Sequence, residues 1–197
     1  MQTANLIAWA LRVMHALQPT APYADTFEAS AAVIVRVAES EPLYPVEKDG
    51  IRRTVALVLS LGNFEGALKQ DAEGDCRDGD KTASGLCKKG ASGRSKCMLQ
   101  VNESNFKALG ITAKQIQTDF EVCVRAAFKM IRASFSICRQ RAPEDKLANY
   151  AAGGEGCGGP KGEGIMESRH RVRKAQYLYD QKVFLEGLEE SARPGGP

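Results

Sequence analysis

Residues 119–139 read Asp-Phe-Glu-Val-Cys-Val-Arg-Ala-Ala-Phe-Lys-Met-Ile-Arg-Ala-Ser-Phe-Ser-Ile-Cys-Arg. Phe120, Val124, Ala127, Phe128 and Ile131 recur at spacings of three and four, so on a helix they share one wide apolar stripe. A stripe of that width needs a core to pack against, and this segment is expected to be the central helix of the fold.

Helical periodicity continues on both sides. Towards the N-terminus, residues 3–17 read as a helix stopped by Pro19 and Pro22, and residues 26–40 as a second. The second carries Ala31, Ile34, Val35 and Ala38 on one face before Pro42 and Pro45 break the chain. A stronger helix starts at Ile51, with Asp49 as its expected N-cap, and runs towards Leu68; Ile51, Val55, Val58 and Leu59 form its stripe. Residues 71–96 lose all apolar period and hold three cysteines in or beside them, which predicts a long loop or a small stapled subdomain. Helical signals return at 103–109 and at 113–117 behind Thr112 as N-cap. Beyond the opening segment come a short stretch Pro143–Ala152, a glycine-rich stretch 153–164 and a basic helix over about 167–189. Alternation at period two is confined to Cys97–Val101, so the class is mainly α, without internal repeats.

The 197 residues fit one domain with decorations. Residues 1–48 read as an N-terminal helical cap, 49–190 as the main domain with 71–96 inserted, and 191–197 as a frayed tail. Hydrophobic residues at 43% and charged residues at 26% describe a globular chain, which excludes wholesale disorder. Apolar runs such as Val55–Leu59 fall far short of the roughly 18 residues a membrane span needs. A net charge of +3, from 27 basic against 24 acidic residues, is too small to imply nucleic-acid binding, though it suits an anionic polymer such as a cell wall. The six cysteines include no C-x-x-C pair, which favours disulfides over a zinc site; the alternative is that Cys123 and Cys138 are buried free thiols. Disulfides call for an oxidising compartment. Yet Arg12 and His15 interrupt the first apolar run and no cationic segment precedes it, so it reads as an amphipathic helix and not a secretory signal.

Glu65 lies 14 residues beyond Ile51, which at about 100° per residue brings it within about 40° of the apolar stripe. A carboxyl facing the core side at a helix end is desolvated, and desolvation favours the protonated form that a general acid needs. Around it, Glu65-Gly-Ala-Leu-Lys-Gln-Asp-Ala72 is similar to the E-S-x-F-x-P-x-A block of soluble lytic transglycosylases and goose-type lysozymes. Lys96-Cys-Met-Leu-Gln-Val-Asn102 resembles their G-L-M-Q-[IL] block, and Asp119 to Ala127 their D-P-x-x-N-I-x-A-G helix. Ala148-Asn-Tyr-Ala-Ala-Gly153 resembles A-A-Y-N-A-G, and Ser168 to Val172 the closing E-T-R-x-Y-V. The five blocks keep the family's order over roughly residues 50–180.

This resemblance implies a lysozyme-like fold with a Cys-rich loop insertion. It implies cleavage of the β-1,4 bond between N-acetylmuramic acid and N-acetylglucosamine, with Glu65 as catalytic acid and base and with Met98, Gln100 and Tyr150 at the substrate. Gln100 would orient the sugar and Tyr150 the carboxyl. No metal or cofactor is implied. The partner would be peptidoglycan glycan strands outside the cytoplasm, at the wall or in the periplasm. A phage virion or tail component, an endolysin and an exported bacterial enzyme all remain open. The chain departs from the family at Gly66 for Ser, Cys97 for the first Gly and Ala151 for Asn. Those departures keep a second class in play, a non-catalytic glycan-binding or structural virion module on the same fold.

A hydrolytic variant needs a second carboxylate to activate water, for which Asp71, Glu73 and Asp75 are nearest in sequence. The same run with Asp78 and Asp80 makes a poor calcium loop, since Cys76 occupies the turn position that requires Gly. Lys161 follows glycines but precedes no Ser or Thr, so it forms no phosphate-binding loop. Arg169, His170, Arg171, Arg173 and Lys174 read as a solvated helix face, and neither His15 nor His170 has a nucleophile partner.

Overall fold

The computed structural model describes residues 3–74, 76, 94–151, 156–157 and 162–191, with side chains through Gln181. Helix α1 (Thr3–Leu17) buries Leu6, Trp9, Ala10 and Met14, and a short 3-10 turn at Ala24–Thr26 leads into α2 (Phe27–Ser40), which buries Phe27, Ile34 and Val35 among others. Both pack on α3 (Gly50–Gly66), and α2 packs also on α6 (Phe120–Ile137). The long α8 (Glu163–Ser191) lies along α3 on another side.

The central helix is α3, which corrects the expectation placed on residues 119–139. Every residue from Thr54 to Gly62 is buried. The run Val55-Ala-Leu-Val-Leu-Ser-Leu61 is apolar nearly all round, as a helix enclosed by others must be. Helix α6 buries Cys123, Val124, Ala127, Phe128 and Ile131 and leaves its opposite face wet, so a strong stripe marks a flanking helix. Asp119 caps α6 by accepting from the amides of Glu121 (2.9 Å) and Val122 (3.3 Å). Asp49 precedes α3 as expected but makes no side-chain cap; its carboxylate accepts from the Tyr179 hydroxyl at 3.0 Å and ties α3 to α8.

A small antiparallel sheet orders β1 (Glu73–Gly74), β2 (Ser95–Lys96) and β3 (Val101–Asn102) side by side, pairing Glu73 with Lys96 and Lys96 with Val101. Of the predicted strand at Cys97–Val101, Cys97–Gln100 are therefore the turn of a hairpin, and Val101 begins β3. Cys97 and Gln100 take positive φ (65° and 50°), which strand geometry cannot accommodate. After β3 come a 3-10 turn at Glu103–Asn105, α4 (Phe106–Leu109) and α5 (Ala113–Thr118). Helix α5 opens on a reciprocal Thr112–Gln115 capping box. A 3-10 turn at Pro143–Asp145 and α7 (Ala148–Ala151) precede α8.

Cys97 is bonded to Cys123 and Cys138 to Cys157; Cys76 is disulfide-bonded as well. Cys123 and Cys138 are thus cross-links and not free thiols. No helix among the described residues is long and apolar enough to cross a membrane. The glycine-rich stretch and the 71–96 insertion fall largely outside the described residues.

Candidate functional site

The last turn of α3 is where the polar side chains begin. Full burial ends at Gly62; Asn63 and Glu65 are half-buried and the ring of Phe64 is exposed. Glu65 keeps 18% of its side chain exposed. Arg171 on α8 meets it, with Nε donating to Oε1 at 2.9 Å and Nη2 2.8 Å from the same oxygen. The guanidinium is itself 9% exposed, and its Nη1 pairs with Oε2 of Glu167 one turn earlier on α8. Its backbone is pinned too, because the buried Ser60 hydroxyl donates to the Arg171 carbonyl at 2.7 Å.

Burial around a carboxyl favours its neutral form and an adjacent guanidinium favours the carboxylate; Glu65 has both a largely buried side chain and a guanidinium beside it. A buried arginine demands carboxylate partners in turn. Arg171 was expected on a solvated face, so this is a correction; the rest of that basic cluster is divided. Arg169 holds Asp145 through two bonds of 2.6 and 3.0 Å, and the His170 ring lies 5.3 Å from that of Phe64.

Tyr150 is brought to the same place. Burial pushes its phenol well above its ordinary range, the negative charge of Glu65 adds to the shift and Arg171 opposes it. The hydroxyl donates to the Leu99 carbonyl at 2.5 Å, so Tyr150 supports the hairpin turn, and it is Arg171 that grips Glu65. Gln100 folds back, donating from Nε2 to the Cys97 carbonyl at 2.9 Å, and its Oε1 packs so close to Gly74 that a Cβ there would lie 2.0 Å away. Met98 is fully buried against Gly62 and Gly66 of α3, which leaves its side chain no exposed surface to offer a substrate.

Among the described residues, four non-glycine residues have positive φ, namely Ala67, Leu68, Cys97 and Gln100, and all belong to the two segments that frame Glu65. Such residues cost of order 1–3 kcal/mol each and persist where surroundings over-determine them. Here the Cys97–Cys123 bond and the Gln100 side chain do so.

Of the expected second carboxylates, Asp71 and Glu73 are among the described residues. Asp71 pairs with Lys69 at 3.3 Å and is exposed, while Glu73 accepts from Lys96 at 2.6 Å and from Gln117 at 2.7 Å. Asp75, Asp78 and Asp80 lie outside the described residues, and among those described no cluster of three His, Cys, Asp or Glu is present. The carboxylate that shares a partner with Glu65 is Glu167. Its signal was present as an i, i+4 Glu-Arg pair at the start of α8.

Fold and site together define a mainly helical, disulfide-linked domain with a Glu65–Arg171–Glu167 array at the end of its buried helix. No family model matches the chain, and no curated protein or solved structure matches it.

Proposed function

We propose that the protein is a peptidoglycan-cleaving glycosidase of the lytic transglycosylase type, with Glu65 as its acid and base. The supporting observation is that the five motif-bearing segments, scattered over a hundred-odd residues of sequence, are joined by direct contacts around one carboxylate. Met98 packs under the end of α3, Cys97 is bonded to Cys123 of α6, Tyr150 of α7 holds Leu99, and Arg171 of α8 holds Glu65.

In this reading, protonated Glu65 gives its proton to the glycosidic oxygen as the C1–O4 bond breaks. The resulting carboxylate takes the proton of the muramyl 6-hydroxyl as that oxygen attacks C1. The 1,6-anhydro ring closes and Glu65 is protonated again, so one group serves both steps. The disulfides suit work at the wall, outside the reducing cytoplasm.

Mass spectrometry of fragments released from purified peptidoglycan tests this. Products ending in 1,6-anhydromuramic acid with wild type, absent with Glu65→Gln, are expected; reducing ends would assign water as the nucleophile. The ion pair between Glu65 and the buried Arg171 is the observation favouring the second reading, a glycan-binding module without turnover. Binding of wall fragments with no products from wild type is that module's signature.

A further inference from the structure

Near the end of α3 opposite Glu65 lies a cavity of about 340 Å³. Arg53, which lines it, comes 12 residues before Glu65 on that helix. At 1.5 Å per residue the two are about 18 Å apart along the axis, so the cavity is separate from the site described above. Its volume falls at the lower end of the range for small-molecule sites. Distant parts of the chain meet there: Tyr44 from the segment before α3, Phe135 from α6, Lys146 from the turn before α7 and Tyr179 from α8.

The aromatic walls are held by contacts of their own. The Tyr44 and Phe135 rings pack with centroids 5.8 Å apart, the Arg53 guanidinium lies 4.9 Å over the Tyr179 ring, and the Tyr179 hydroxyl is tied to Asp49. Two polar groups of the lining differ from these. Among the described residues the Tyr44 hydroxyl has no hydrogen-bond partner, and the Lys146 ammonium has neither a hydrogen bond nor an ion pair. Burial, with the charge of Glu47 adding to it, pushes the Tyr44 phenol up to about 12, so it remains a neutral donor. A desolvated donor left unpaired costs free energy, and a ligand acceptor removes that cost. The charged residues of the described lining are Arg53, Glu47 and Lys146, of which Glu47 pairs with Arg53 at 3.1 Å. One positive charge is left over, which matches a monoanion; a phosphate-like dianion would call for a second unpaired cation.

We infer that this cavity binds a small organic monocarboxylate with a ring-shaped apolar body, its carboxylate held by Lys146 and the Tyr44 hydroxyl and its ring set against Phe135 and Tyr179. The inference does not rest on the glycosidase reading. The test follows the amide NMR spectrum of the full chain at neutral pH and low salt as phenylacetate is added, with phenylacetamide and phenyl phosphate as companion probes. Shifts gathered at Tyr44, Phe135, Lys146 and Tyr179 are expected, saturating with a Kd on the order of 1 mM. The neutral amide should bind about tenfold more weakly or worse, and the phosphate no more tightly than the carboxylate. Lys146→Gln should weaken phenylacetate about tenfold, and Tyr44→Phe, which keeps the ring, about threefold or more. Glu65→Gln should bind it as wild type does. No saturable shifts at these residues, equal affinity for the amide, tighter binding of phenyl phosphate, or unchanged affinity in folded Lys146→Gln and Tyr44→Phe overturns the inference. If Lys146→Gln does not fold, Tyr44→Phe decides alone. A wild type that releases no muropeptides would sink the glycosidase reading and leave this inference standing.

Discussion

Replacing Gly66 by Ala sets two effects of known sign against each other. Helix propensity favours Ala over Gly by up to about 1 kcal/mol. A Cβ at 66 would lie 2.7 Å from the Met98 carbonyl oxygen and 3.0 Å from both Met98 Cα and Ala72 Cβ. Two of those atoms are backbone, in a turn tied by strand pairing and by the Cys97–Cys123 bond, so the strain cannot be relieved by a rotamer change. Overpacking costs about 1–3 kcal/mol, so Gly66→Ala is expected to lose roughly 1–2 kcal/mol net. At Gly62 the obstructing atoms are Met98 Cε at 2.7 Å and Cγ and Sδ at 3.0 Å, all on a side chain. Met98→Ala costs about 2–5 kcal/mol by itself but clears the space at 62 and leaves the backbone obstruction at 66. Urea unfolding of both double-mutant cycles without reductant reads the difference. Coupling of about 1 kcal/mol is expected between 62 and 98, and close to none between 66 and 98. A Gly66→Ala variant more stable than wild type, or equal rescue at both positions by Met98→Ala, would refute the close approach of the hairpin to α3 on which the site rests.

Removing the Cys97–Cys123 bond, which spans a sequence separation of 26, should cost about 3.5 kcal/mol by loop-closure entropy. At about 2–4 °C per kcal/mol for a chain of this size, calorimetry of a Cys97→Ala, Cys123→Ala variant should show Tm lower by roughly 7–14 °C; an unchanged Tm would mean the turn is held by other contacts. Ser134→Ala removes a hydroxyl that donates to the Lys146 carbonyl at 2.8 Å and accepts from the Tyr150 amide at 3.0 Å. Leaving those groups unsatisfied should cost about 1–3 kcal/mol in denaturant unfolding, with Gln100 and Glu65 untouched. Asp145 is held below the usual carboxylate range, first by the Arg169 hydrogen bond and further by its charge. Its contribution is present above about pH 4, the unfolded value, and is lost as pH falls through the lower folded value. Thermal unfolding from pH 5 to 2 should therefore decline more steeply in wild type than in Arg169→Gln; parallel curves would deny the pair a role in stability.

The helices were legible because apolar spacing and prolines act locally: α1 and α2 begin and end within a residue or so of the periodic segments, and Thr112 and Asp119 cap as side-chain chemistry requires. The centre of the fold was misplaced for a physical reason. An amphipathic stripe is a signal of two environments, and a helix enclosed on all sides, such as α3, has only one. The hairpin turn at Cys97–Gln100 was read as a strand because alternation cannot report positive φ in residues other than glycine. Glu65 was placed correctly at the inner edge of its helix end, since that follows from helical angle alone. Its partner was not, because Arg171 is 106 residues away and looks, in sequence, like one member of a solvent-facing basic cluster.

The departures from the lytic transglycosylase motifs are coupled to one another through these contacts. Where the motif has Ser this chain has Gly66, and a Cβ there would lie 2.7 Å from the Met98 carbonyl oxygen, so the close hairpin excludes a serine. The hairpin comes so close with Cys97 at φ 65°, where the motif has Gly. A non-glycine residue there costs about 1–2 kcal/mol, less than the roughly 3.5 kcal/mol its cross-link to α6 contributes. The same hairpin presents the Leu99 carbonyl to Tyr150, whose hydroxyl donates to it. Arg171, at the motif's second tyrosine position, reaches Oε1 of Glu65 from α8. Restoring one motif residue alone should therefore damage the site. Gly66→Ser meets the Met98 backbone, and Arg171→Tyr leaves Glu65 and Glu167 on either side of a ring that can donate one hydrogen bond to only one of them.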